Sequence, residues 1–152
     1  MKKVLTIGLM ALFVVSCKPT MDSKSQVGLK GNWTLTKVDH IGGDFVKVNS
    51  FDIADAKCFV GSQWKFVSNN NSGVITMNGG GDCPTFENNI KWTISPSGDF
   101  NFKFIDEGVK AKHVSTGYSM KVRNQSETSF QLVDKVYSGG QSYDITYQFS
   151  RN

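Results

Sequence analysis

The chain has 152 residues, enough for one domain and too few for two well-built ones. Charged residues make up 20% and aromatics 12%, which excludes a disordered tail, and 11 Phe, 4 Tyr and 3 Trp supply the apolar area of a real core. Formal charge is +4, but setting aside Lys2 and Lys3 leaves 15 basic against 13 acidic residues, a net +2 that makes no case for a nucleic-acid partner; two His and no zinc-type Cys spacing exclude most metalloenzymes.

Residues 1–16 have the layout of an export signal. Lys2 and Lys3 form a basic start, and Val4 to Val15 form an apolar run interrupted only by Thr6 and Gly8. That run is too short to span a bilayer stably. Val14-Val15-Ser16-Cys17 matches the bacterial lipobox. The thiol of Cys17 is then expected to carry diacylglycerol, with cleavage before it and the freed amine open to acylation. Each buried methylene contributes about 0.8 kcal/mol, so two or three chains anchor effectively permanently. A plain secretory signal with an incidental Cys is the alternative. Residues 17–29 are polar, without hydrophobic periodicity, and are expected to form a flexible tether. Residue 18 is Lys rather than the Asp of inner-membrane retention, so the outer membrane is expected, with the facing side left open.

With Cys17 assigned to the anchor, Cys58 and Cys83 remain. In an oxidising compartment an even pair is a disulfide candidate, the alternative being two buried thiols. No Cys-x-x-Cys redox pair occurs.

From about residue 30 the chain alternates with period two. The predicted strands are Trp33–Asp39, Phe45–Phe51, Gln63–Val67, Gly73–Met77, Asn89–Ile94, Asp99–Phe104, Val114–Val122, Phe130–Tyr137 and Tyr143–Phe149. Alternation is cleanest where Ile90, Trp92 and Ile94, then Phe100, Phe102 and Phe104, then Tyr143, Ile145, Tyr147 and Phe149, share a face. Turn chemistry separates the strands at 69–73, 95–98 and 138–141. Only Asp52–Lys57 could hold a helical turn. Short strands joined by hairpins point to an all-β, antiparallel up-and-down β-barrel of about eight to nine strands over residues 30–152. A barrel of that size is filled by side chains or holds one small ligand.

Gly31-Asn32-Trp33 at the start of the first strand resembles the Gly-x-Trp signature of the lipocalin-like superfamily. Cys58-Phe-Val-Gly-Ser-Gln-Trp64-Lys-Phe66, with Gly73, Cys83 and Ile90-Lys-Trp92, is similar to the lipocalin-like domain of small bacterial lipoproteins, over about residues 29–150. The resemblance implies that Gly31 allows a tight backbone at the barrel base, that Trp33 plugs the closed end, and that a basic residue stacks over it. Arg151 is placed for that role, and Arg123 is the other candidate. A domain of roughly 120 residues is short for a spacious calyx.

Little in the sequence suggests catalysis. His40 and His113 are the two imidazoles, no nucleophile elbow or phosphate loop occurs, and Asp106-Glu107 reads as solvated loop. No cofactor or metal is expected. In Trp64-Lys-Phe66 and Phe102-Lys-Phe104 alternation sends Lys and aromatics to opposite faces, unlike a nucleic-acid stacking platform. Trp64, Phe66, Trp92, Phe102, Tyr118 and Tyr147 should point inward. They form either a packed core, at about 1.5–3 kcal/mol per large side chain, or an apolar pocket with Tyr hydroxyls orienting a ligand. Two functions follow. One is a lipid-anchored, non-catalytic carrier of a small hydrophobic ligand. The other is a filled, rigid module that docks to an envelope protein, with the Gly79–Glu87 loop pinned by Cys83. A disulfide-braced inhibitory loop is a distant third.

Overall fold

The computed structural model describes residues 28–152; the export signal, Cys17 and the tether up to residue 27 lie outside the described residues. The strands are β1 (Gly31–Asp39), β2 (Asn49–Ser50), β3 (Ala54–Asp55), β4 (Gln63–Val67), β5 (Ser72–Met77), β6 (Phe86–Ile94), β7 (Asp99–Ile105), β8 (Tyr118–Arg123), β9 (Ser129–Ser138) and β10 (Gln141–Arg151). Eight of them close into an antiparallel barrel in the order β1-β10-β9-β8-β7-β6-β5-β4. Closure comes from β1 pairing with β4 at Gly31–Phe66 and Trp33–Trp64, so the barrel itself has no edge strand.

Alternation decides which side chains enter. On β6 and β7, Trp92 faces Phe102 and Ile94 faces Phe100 across the ladder, all buried, while Thr93 between them is exposed. A bulge between Leu35 and Lys37 bends β1, and the Leu35 backbone there bonds to Gly61 and Ser62 instead of β4. The hairpin turns are built as their residues require. Asn71 has φ 55°, and Gly139 and Gly140, at 59° and 78°, join β9 to β10.

Two predicted strands are corrected. Phe45–Phe51 is not a barrel strand, because β1 and β4 already pair with each other and leave no slot between them. Residues 43–45 form a 3-10 turn, and Asn49–Ser50 pairs only with Ala54–Asp55 in a small hairpin. Val114–Val122 begins as a strand only at Tyr118; residues 111–113 form a 3-10 turn, and the β7–β8 ladder ends at Phe102–Tyr118. Asp52–Lys57 divides between β3 and the start of a 3-10 turn over Ala56–Phe59, where the Asp55 side chain accepts from the Lys57 N–H at 3.0 Å.

The barrel has a closed base and a mouth. The base gathers the start of β1, the end of β10 and the turns at 68–71, 95–98 and 124–128. Trp33 plugs it, with its indole N–H on the Leu29 carbonyl at 2.8 Å and its ring edge-on to Phe130 at 4.7 Å. The Arg151 guanidinium, not that of Arg123, lies 4.2 Å from the centroid of Trp33. It also donates to the carbonyls of Gly28, Lys30 and Glu127. Gly31 has φ 129°, and a Cβ there would sit 2.5 Å from an Arg151 nitrogen. Leu29, placed by sequence at the end of the tether, is 0% exposed and packs in the core.

Candidate functional site

The mouth is covered by the long excursion between β1 and β4, residues 40–62. Its β2–β3 hairpin is braced from below. The Asp55 carboxylate accepts from the Val48 N–H at 3.1 Å, and the Ala56 N–H bonds the Val48 carbonyl at 2.7 Å. At the hairpin tip Phe51 and Asp52 both have positive φ, 55° and 56°. That is uncommon for a bulky residue and is held only where the surroundings over-determine it.

The surroundings do so here. The Phe51 ring points into the barrel, with Phe59 at 5.2 Å, Phe102 and Tyr118 at 5.3 Å, Tyr147 at 5.5 Å and Trp64 at 6.1 Å between centroids. The Tyr118 hydroxyl donates to the Phe51 carbonyl at 2.8 Å, and the Tyr147 hydroxyl is 2.5 Å from the Ser50 hydroxyl. The disulfide Cys58–Cys83, with Cα atoms 5.3 Å apart, ties the excursion to the β5–β6 connection.

The six residues singled out for a pocket all face the interior. Trp64, Phe102, Tyr118 and Tyr147 surround Phe51, and Phe66 and Trp92 lie deeper, 5.1 Å apart. The indoles are satisfied within the wall, Trp64 by the Ser62 hydroxyl at 2.9 Å and Trp92 by the Ser72 carbonyl at 2.8 Å. The two tyrosine hydroxyls instead bond to the plug. Among the described residues the barrel interior is therefore filled. Cavities of about 600, 580 and 450 Å³ lie against its outer wall and rim.

Phe51, Phe59 and Phe130 belong to this core and were not singled out from sequence. Phe51 ends an alternating run, and periodicity alone reads such a residue as part of a strand. His40 is a loop residue whose Nδ1 lies 3.0 Å from the Ile41 carbonyl. Among the described residues no group of three or more His, Cys, Asp or Glu side chains is placed to hold a metal.

Burial raises the pKa of the Tyr147 hydroxyl well above its ordinary value, against the opposing Ser50 hydrogen bond. Tyr118 shifts the same way, first by burial and then by the Asp52 charge. A raised folded value means that the native state keeps its proton longer than the unfolded chain does. The stability this contributes is full below about pH 10 and falls as pH rises further. Tyr147→Phe is expected to flatten the decline of melting temperature between about pH 9 and 12. An unchanged decline would assign the alkaline loss to other groups.

A family model described as a lipocalin-like domain matches residues 29–132. The chain belongs to the lipocalin-like domain family. No curated protein sequence matches this lipocalin-like chain. Among solved structures it is similar to bovine odorant-binding protein complexed with its natural ligand, at 15% identity and TM-score 0.47, covering 82% of this chain and 72% of that one. A deswapped triple mutant of the bovine protein matches at 13% identity and TM-score 0.47, covering 82% and 74%. An odorant-binding protein designated OBP1 matches at 9% identity and TM-score 0.48, covering 84% and 73%.

Proposed function

We propose that this lipocalin-like protein is a non-catalytic lipoprotein, anchored through Cys17 to the outer membrane of a bacterial envelope, and that it binds a small hydrophobic ligand at the barrel mouth by displacing Phe51. The observation that carries the ligand half is the plug itself. Phe51 sits on a loop rather than a barrel strand, in a strained backbone conformation, inside a cage of five aromatic rings. Withdrawing one side chain vacates an apolar site the size of an aromatic ring. It also frees the Tyr118 and Tyr147 hydroxyls to orient a guest. The export signal and lipobox support the anchor half.

The cost of opening the plug lowers apparent affinity by the fraction of molecules that are open. Phe51→Ala removes that cost. Both halves are tested on the chain purified from membranes. The mature chain should carry a diacylglyceryl mass on Cys17. A small fluorescent aromatic probe of one or two rings should bind Phe51→Ala at least about tenfold more tightly than the parent. Failure of both proteins to bind any apolar probe would discard the carrier reading.

The docking-module reading is favoured by a separate observation. Phe45 is 98% exposed and Tyr137 77%, and Ile41 and Val46 are exposed beside them at the rim. Recovery of one envelope protein by the parent, lost in a Phe45→Ser, Tyr137→Ser variant, would support it.

A further inference from the structure

On the outer wall, lysines sit opposite carboxylates across two of the ladders. Lys121 faces Asp99 across the β7–β8 ladder and bonds it at 2.5 Å, and Lys135 faces Asp144 across β9–β10 at 3.1 Å. The β6–β7 ladder does the reverse, setting Lys91 directly opposite Lys103. Like charges opposite each other destabilise a sheet, and the cost falls when a counter-charge lies between them. Among the described residues neither lysine has an ion pair. Lys91 donates to the Asn70 carbonyl at 2.8 Å and Lys103 to the Val114 carbonyl at 3.2 Å. An ammonium has three donors, so each keeps hydrogen-bonding capacity unused.

Both lysines are half-buried and line one groove of about 600 Å³. The groove exists because β8 stops pairing at Tyr118 while β7 runs on to Ile105, so the 106–117 connection swings over the wall and forms the second side. Its remaining polar lining includes Thr93, Asn101, Ser115 and Ser119, which are hydroxyls and an amide, and no carboxylate lines it. Charge and donors therefore match a small anion, and the groove has room for the larger molecule that carries it.

We infer that this groove is a binding site for a phosphate-bearing molecule, with Lys91 and Lys103 bracketing the phosphate and the serine hydroxyls completing its hydrogen bonds. Two ammonium groups match the charge of nearly two that a phosphate monoester carries at neutral pH. The phosphate could belong to a soluble metabolite or to a lipid headgroup. The site is separate from the barrel mouth and does not depend on the carrier reading.

The test uses the full chain in non-ionic detergent micelles at fixed ionic strength. One arm titrates inorganic phosphate. The other compares micelles doped with phosphatidic acid, whose headgroup is a phosphate monoester, or with phosphatidylcholine. Saturable shifts of the Lys91, Thr93, Lys103 and Ser119 amide resonances are expected in at least one arm, and the arm that saturates identifies the source. Lys91→Gln combined with Lys103→Gln should weaken that binding at least about tenfold. The control pair Lys37→Gln, Lys47→Gln should stay within about twofold, since neither lines the groove. Relief of repulsion predicts that the groove variant melts no lower than the parent in phosphate-free buffer, which guards against a folding defect. Absence of saturable binding in both arms, or equal weakening by the control pair, would overturn the assignment.

Discussion

Replacing Cys58 and Cys83 together by serine is expected to lower stability by about 3–4 kcal/mol. The bond closes a segment of 25 residues, and the chain-entropy relation gives about 3.5 kcal/mol for a loop of that length. For a domain of this size that is a fall in melting temperature of roughly 10–15 °C. The effect is also local. The bond holds the plug-bearing excursion to the β5–β6 connection, whereas the barrel strands hold one another by their own ladders. The serine variant should therefore exchange the amide hydrogens of Ile53, Ala56 and Ser62, which bond within the excursion, faster than those of β9 and β10. If opening Phe51 limits ligand entry, the same variant binds an apolar probe more tightly, because its open fraction has risen. A melting temperature within about 2 °C of the parent would show that the bond constrains neither state.

The legible part of the fold is the part governed by local period. Trp92, Phe102 and Tyr147 enter the barrel because a strand buries alternate residues, and the sequence states that alternation directly. Asn71 and Gly139-Gly140 mark hairpins because few residues tolerate positive φ. The excursion was not legible for the opposite reason. Phe45-Val-Lys-Val-Asn-Ser-Phe51 alternates like a strand, yet whether it enters the wall depends on whether β1 and β4 meet each other. That is a closure condition of the whole barrel and leaves no local trace. Its consequence is that Phe45 lies in solvent while Phe51, six residues on, lies at the centre of the aromatic cage. The Lys91–Lys103 pairing is hidden in the same way. Each lysine alone is an ordinary outward residue, and only the register of β6 on β7 sets the two opposite each other. Arg151 over Trp33 was reached by resemblance, since nothing local in Phe149-Ser-Arg151 says where the guanidinium goes.

That base contact supports the other large expected effect. Trp33→Ala should cost about 3–5 kcal/mol, the range for truncating a fully buried Trp. Two things beyond lost volume act there. The Leu29 carbonyl loses its indole partner in a site where Leu29 is fully buried, and Phe130 loses the edge of its ring contact while still stacked on Phe149 at 4.6 Å. Arg151→Ala should cost less, about 2 kcal/mol, because the guanidinium is exposed on one side and the carbonyls it leaves can be taken up by water. Arg151→Lys should recover little of that. One ammonium does not reproduce a planar fork that reaches three carbonyls while its centre lies 4.2 Å from the indole centroid. The pair is coupled, so the double variant should be less unstable than the sum of the single losses, by about 0.5–2 kcal/mol in urea unfolding. Strict additivity would mean that Arg151 acts only through the backbone of residues 28–30 and residue 127, and that its place over the ring adds nothing.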